Sequence, residues 1–166
     1  MTNKSPLSSR FPKRIYTQSE VLEAKNLIDG GYKHRLRTIG SKDFKMKARK
    51  ALKLIKTAGY YNFIRTYIRT IREINGLSQL REAEAAAWAN LYAVENPVDG
   101  ACFIVQKAWQ MKNYIEGKIY YGHIGETLAA QEQVRFLKKL SKQTRNAKVK
   151  EDCFKRLKIL EDSVFL

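Results

Sequence analysis

The chain has 166 residues, with 32 Lys or Arg against 16 Asp or Glu, a formal net charge of +16 and a hydrophobic share of 44%. That length suits one domain, and the apolar share excludes a disordered chain. Three prolines and nine glycines exclude collagen-like and low-complexity sequence and argue against a β-sandwich, and no apolar run approaches the roughly 18 residues of a membrane span.

Residues 1–16 read as a flexible basic arm, with Lys4, Arg10, Lys13 and Arg14 and no acid before Glu20. An organelle-import segment has a similar composition, but no amphipathic helix is visible, so a plain arm is the reading. Residues 17–166 then read as one helical domain. Thr17-Gln-Ser-Glu20 has the form of a capping box and opens a first helix, which Gly30-Gly31 ends. Residues 32–42 form a basic connector, Tyr32-Lys-His-Arg-Leu-Arg, whose alternation suits an exposed strand or a loop. It contributes Arg35 and Arg37, and its His34 reads as a surface histidine.

A second helix is expected from about Asp43 to Ala58. Phe44, Ala48, Ala51, Leu52 and Ile55 share one face at 3–4 spacing. Lys45, Arg49, Lys53 and Lys56 fall within about 80° of arc on another side. Gly59 separates it from a third expected helix, running to Gly76 on Tyr60, Phe63, Ile64, Tyr67, Ile68, Ile71 and Ile74. Arg65, Arg69 and Arg72 edge that helix. A fourth helix is read over about Ser78–Val94, with Leu80, Ala87, Trp88 and Leu91 as core. Asn96-Pro97 opens a fifth, reaching about Glu116. A loop follows over 117–125, then a sixth helix over about Glu126–Ser141 and a seventh over about Asn146–Asp162. The expected fold is therefore all-α, a single-domain bundle of six or seven helices behind a basic N-terminal arm.

Charge is unevenly placed along this chain. Residues 1–81 hold 19 basic and 5 acidic residues, residues 82–133 hold 3 and 7, and residues 134–166 hold 10 and 4. Basic flanks around an acidic middle predict a separate cationic surface. Aligned Lys and Arg neutralise closely spaced phosphates, and Arg adds bidentate geometry. The predicted phosphate contacts are Arg35, Arg37, Lys45, Arg49, Lys53, Lys56, Arg65, Arg69 and Arg72. Tyr60 and Tyr61 lie beside them as possible stacking partners for unpaired bases. Neither pair of adjacent helices makes a helix-turn-helix, which favours backbone recognition over base readout.

Signatures of catalysis are sparse: no CxxC, HExxH, GxSxG or GxxxxGK[ST] occurs. His123 and Glu126, at i and i+3, are the one candidate for a metal or acid–base site. Cys102 and Cys153 lie in apolar stretches and read as reduced, buried thiols of an intracellular protein. The expectation is a non-catalytic, cytoplasmic nucleic-acid-binding protein, RNA slightly ahead of DNA, with no cofactor and no metal. The alternatives are a helical adapter binding an acidic protein or itself, and a small enzyme built around His123 and Glu126.

Overall fold

Thr17 opens α1 (Gln18–Asp29) with the expected capping box. Its Oγ1 accepts the Glu20 amide at 3.2 Å, and the Glu20 carboxylate accepts the Thr17 amide at 2.8 Å. The computed structural model describes residues 10–164; residues 1–9 of the basic arm lie outside them. Residues 10–16 run against the body of the molecule. Phe11 and Ile15 are buried, the Ile15 amide donates to Ala83 O at 2.8 Å, and Tyr114 Oη donates to Ile15 O at 2.7 Å.

The fold is not an all-α bundle. Among the described residues six α-helices accompany a four-stranded mixed sheet. The strands are β1 (Arg37–Ile39), β2 (Thr70–Glu73), β3 (Gln79–Arg81) and β4 (Ala86–Ala89). Their order is β1-β2-β4-β3; β1, β2 and β4 are parallel and β3 is antiparallel to β4. The connector's alternation was therefore a strand signal at Arg37–Ile39.

Two expected helices give way to this sheet. The third shrinks to α3 (Tyr61–Tyr67), and its second half becomes β2. Ile68, Thr70, Ile71 and Ile74 are β-branched side chains that fit a pleated surface better than a helix. Their 3–4 spacing mimicked a helical stripe. The fourth is replaced by β3, a 3-10 turn at Glu82–Glu84, β4 and a second 3-10 turn at Leu91–Val94. Ala85 takes φ 51° between the first turn and β4, a left-handed conformation uncommon outside glycine. It reverses the chain so that β4 returns beside β3. The run Ala86-Ala-Trp-Ala89 looks helical by propensity, but Ala87 and Ala89 are fully buried.

The remaining elements are α2 (Lys42–Thr57), α4 (Pro97–Ile115), α5 (Gly122–Gln143) and α6 (Ala147–Val164). The expected loop is shorter, since α5 begins at Gly122 rather than Glu126. Asn96 caps α4 by accepting the Val98 and Asp99 amides at 2.9 and 3.0 Å, ahead of Pro97 at the first helical position. Val98, Cys102, Ile104, Val105, Ala108, Trp109, Met111 and Ile115 of α4 are buried. A helix apolar on so many sides belongs at the centre of a fold. It packs against α1, α2, α3, α5, α6 and strands β3 and β4.

Two glycines are fixed by close approach. A Cβ on Gly40, which joins β1 to α2, would meet Glu73 Cβ at 2.7 Å and Phe44 Cδ1 at 2.8 Å. One on Gly125 would meet the Tyr120 carbonyl carbon at 2.4 Å, so α5 can lie this near the preceding loop only without a side chain there. Cys102 and Cys153 are free and buried. Burial pushes both thiols up, Cys153 to about 11, which holds them as thiols at neutral pH. Among the described residues no helix is long and apolar enough to cross a membrane.

Candidate nucleic-acid interface

Ser41 starts α2 by accepting the Phe44 amide at 3.1 Å, while its own amide donates to Glu73 Oε1 at 2.8 Å. The helix is thus pinned to β2. Phe44, Ala48, Ala51 and Ile55 are fully buried against the core. Lys45, Arg49, Lys53 and Lys56 are all exposed.

The local acids are engaged elsewhere. Lys47 reaches Asp43 at 3.2 Å and Glu95 at 2.6 Å, and the Glu95 bond, then Asp43, holds the Lys47 ammonium above its usual range. Among the described residues none of Lys45, Arg49, Lys53 and Lys56 has an acidic partner within 4.0 Å. Lys56 Nζ stands 4.5 Å from the centre of the Tyr61 ring, and Arg65 Cζ stands 5.8 Å from the same ring. Tyr61 therefore carries the cationic stripe from α2 towards α3. Tyr60 instead packs edge-on to Phe63 and Phe136 and donates to Glu132 at 3.2 Å. Its burial, then the Glu132 charge, raises the phenol to about 12.

A cleft of 560 Å³ flanks this stripe, between α2 and the elbow joining α5 to α6. Lys50 and Lys53 line one wall and Arg145 the other, with Gln143 and Asn146 as neutral donors and no acidic residue in the lining. Lys53 belongs to both stripe and cleft. Lys50 and Arg145 were missed in the sequence. The net charge of the last 33 residues pointed to a basic C-terminal region, but only the fold brings Arg145 to α2.

The other predicted contacts are dispersed. Arg69 lies between α3 and β2 and is half-buried. Its guanidinium donates to Lys13 O at 3.2 Å and to Pro12 O, and it sits 5.2 Å from the Phe11 ring centre. Burial lowers its pKa, but an arginine remains a cation. Arg65 Nε donates to His34 O at 3.0 Å, and the His34 amide donates to Arg65 O at 2.7 Å. These two arginines fasten the connector and residues 12–13 to the body of the fold. Arg72 is exposed on β2, on the side opposite buried Ile71, and shares that side with Arg37 of β1. The single helical edge expected for Arg65, Arg69 and Arg72 does not form.

His34 is not on the surface. It is 1% exposed, with Phe11 at 4.4 Å and Tyr32 at 5.1 Å between ring centres, both edge-on. Burial, then the Arg69 charge, lowers it to about 4, and its Nε2 has no hydrogen-bond partner. Arg35 is exposed beside it, at a cleft of 340 Å³ lined also by Arg10 and Arg69. His123 and Glu126 stand exposed near the start of α5. Among the described residues no group of three or more His, Cys, Asp or Glu is placed to hold a metal.

A run of exposed cations on one helix face, with its local acids bound to one lysine, can neutralise several phosphates at once. No known family model, no curated protein and no solved structure matches this chain.

Proposed function

We propose that the protein binds nucleic acid through its phosphate backbone, without catalysis. The binding surface is the α2 stripe Lys45, Arg49, Lys53 and Lys56, extended by Lys50 and Arg145 across the adjoining cleft. One observation carries the reading: the local acids, Asp43 and Glu95, are taken up by Lys47, and the four stripe cations are exposed without acidic partners among the described residues. An exposed face of any basic protein carries lysines; this one adds alignment along one helix and an adjoining cleft whose lining holds no acid. RNA is preferred slightly ahead of DNA, because Tyr61, a ring that can stack on an unpaired base, stands between Lys56 and Arg65. The test is direct titration of the whole protein with RNA and DNA, single- and double-stranded, at several salt concentrations. Micromolar binding or tighter at low salt that collapses with Arg49→Glu plus Lys53→Glu supports the reading. Absence of binding to every member of the panel contradicts it.

The adapter reading has one observation in its favour. Tyr121, Ile124 and Leu128 follow spacings of three and four at the start of α5 and are exposed, an apolar stripe suited to a partner. A mass that stays monomeric over a hundredfold range of concentration, with no protein partner captured, counts against it.

A further inference from the structure

We propose that the open face of the sheet is a second contact, taking an unpaired nucleic-acid strand with phosphates on Arg37 and Arg72 and a base against Trp88. This rests on the reading that the protein binds nucleic acid. Strand alternation sets up the face. One set of residues in register, Thr38, Ile71, Ala87 and Leu80, faces the helices; Ile71 and Ala87 are fully buried. The other side carries two rows: Arg37, Thr70, Ala86 and Arg81, then Ile39, Arg72, Trp88 and Gln79. Arg37, Arg72, Gln79 and Arg81 are exposed, Thr70, Ile39 and Trp88 partly so, and the small Ala86 is buried between its larger neighbours.

Those eight positions hold three arginines, one tryptophan and no acid. Arg37 and Arg72 have no acidic partner within 4.0 Å among the described residues. From strand rise and spacing, their Cα atoms lie about 8 Å apart on neighbouring strands, so both guanidiniums reach successive phosphates of one extended backbone. Arg81 Cζ lies 4.4 Å from the Trp88 ring centre, and its ion pair with Glu84 is loose at 3.7 Å, with both side chains about half exposed. A guanidinium resting on an indole is a platform for a base, which stacks on either group. The Trp88 Nε1 atom is buried and has no hydrogen-bond partner within the protein, so the indole meets the base by stacking rather than through a hydrogen bond. The occupant is a single strand, because a duplex keeps its base faces stacked away from such a surface. The face carries charge and one aromatic ring rather than a broad apolar patch, so it suits a polyanion better than a protein.

The test uses the full chain, a 12-nucleotide oligo(U) and a 12-base-pair duplex. Trp109 is buried in α4, so a change in tryptophan emission on binding reports Trp88, and Trp88→Phe identifies it. The expected results are quenching by oligo(U) that Trp88→Phe removes, and at least tenfold weaker oligo(U) binding for Arg37→Glu plus Arg72→Glu. Duplex binding by that variant stays within twofold of the unmodified protein. Circular dichroism confirms that each variant folds, and Arg37→Gln plus Arg72→Gln serves as a milder pair if the reversal does not. Oligo(U) binding that depends on Arg49 and Lys53 but leaves Trp88 silent and ignores Arg37 and Arg72 overturns the sheet contact and leaves the α2 reading standing. Equal losses for strand and duplex overturn the strand-specific contact. No binding of either probe overturns both.

Discussion

Residues 42–57 and residues 61–73 present the same pattern in sequence: apolar side chains at helical spacing with basic ones along an edge. In the first segment the pattern is a helix, and Arg49 points its charge at solvent. In the second the helix ends at Tyr67; Arg69 is folded onto the carbonyls of Pro12 and Lys13, and Arg72 emerges on a strand. Basic periodicity therefore gives a single exposed cationic face only where the backbone keeps its period and the cation lacks an internal partner. An arginine that satisfies buried carbonyls is structural, whatever its neighbours in sequence.

The sharpest way to break this contrast is at β2. Ile71→Ala removes a fully buried side chain from the central sheet and should destabilise by about 3 kcal/mol, whereas Arg72→Ala next to it should change stability by less than about 0.5 kcal/mol. Chemical denaturation measures both. Equal effects would mean that the two residues do not alternate between faces.

The second prediction concerns the histidine beside Arg69. His34 is held near 4 in the folded protein against an ordinary value of 6.5. The unfolded chain therefore binds the proton first as pH falls. The neutral histidine's contribution is fully present above about 6.5 and is lost between about 6.5 and 4, approaching roughly 3 kcal/mol. Replacing His34 by Leu should remove that part of the pH dependence in denaturation curves recorded from pH 7.5 to 4.5. An unchanged profile would place the titrating group elsewhere.

Third, Arg69→Ala should cost about 2 kcal/mol through two lost charged hydrogen bonds and the Phe11 contact. Arg49→Ala should lie within about 0.5 kcal/mol of the parent protein. If the two behave alike, the contrast between structural and free arginine fails.

These contrasts also explain what could be read from the chain. The helices α1, α2 and α4 were legible because caps and apolar spacing agree: Thr17 with Glu20, Ser41 before Phe44, Asn96 before Pro97. Beyond the alternation at Arg37–Ile39 the sheet was not, because its strands are only three or four residues long, too short for β2, β3 and β4 to stand out from a helical stripe. Ala86–Ala89 favours a helix by propensity and is a strand because Ala87 and Ala89 are buried against other elements. Lys45, Arg49, Lys53 and Lys56 were legible as one exposed face, since only helix geometry was needed. Arg145 and the open-sheet grouping of Arg37, Arg72 and Trp88 depend on long-range packing. His34 was misread because a histidine between Lys33 and Arg35 looks solvated, while its burial comes from Phe11, 23 positions away.

The central claim is that a local cationic face, rather than net charge, binds nucleic acid. The measurement that tests it most directly is the slope of log K against log salt for a short duplex. About five phosphate contacts give a slope near −4.5, at roughly −0.9 per contact. Arg49→Glu plus Lys53→Glu should flatten it by about two contacts. The same change of charge at Lys155 and Lys158, farther along α6 from the cleft, should flatten it by less than half as much. Equal flattening by both pairs would make the protein a diffuse polycation and contradict a site on α2.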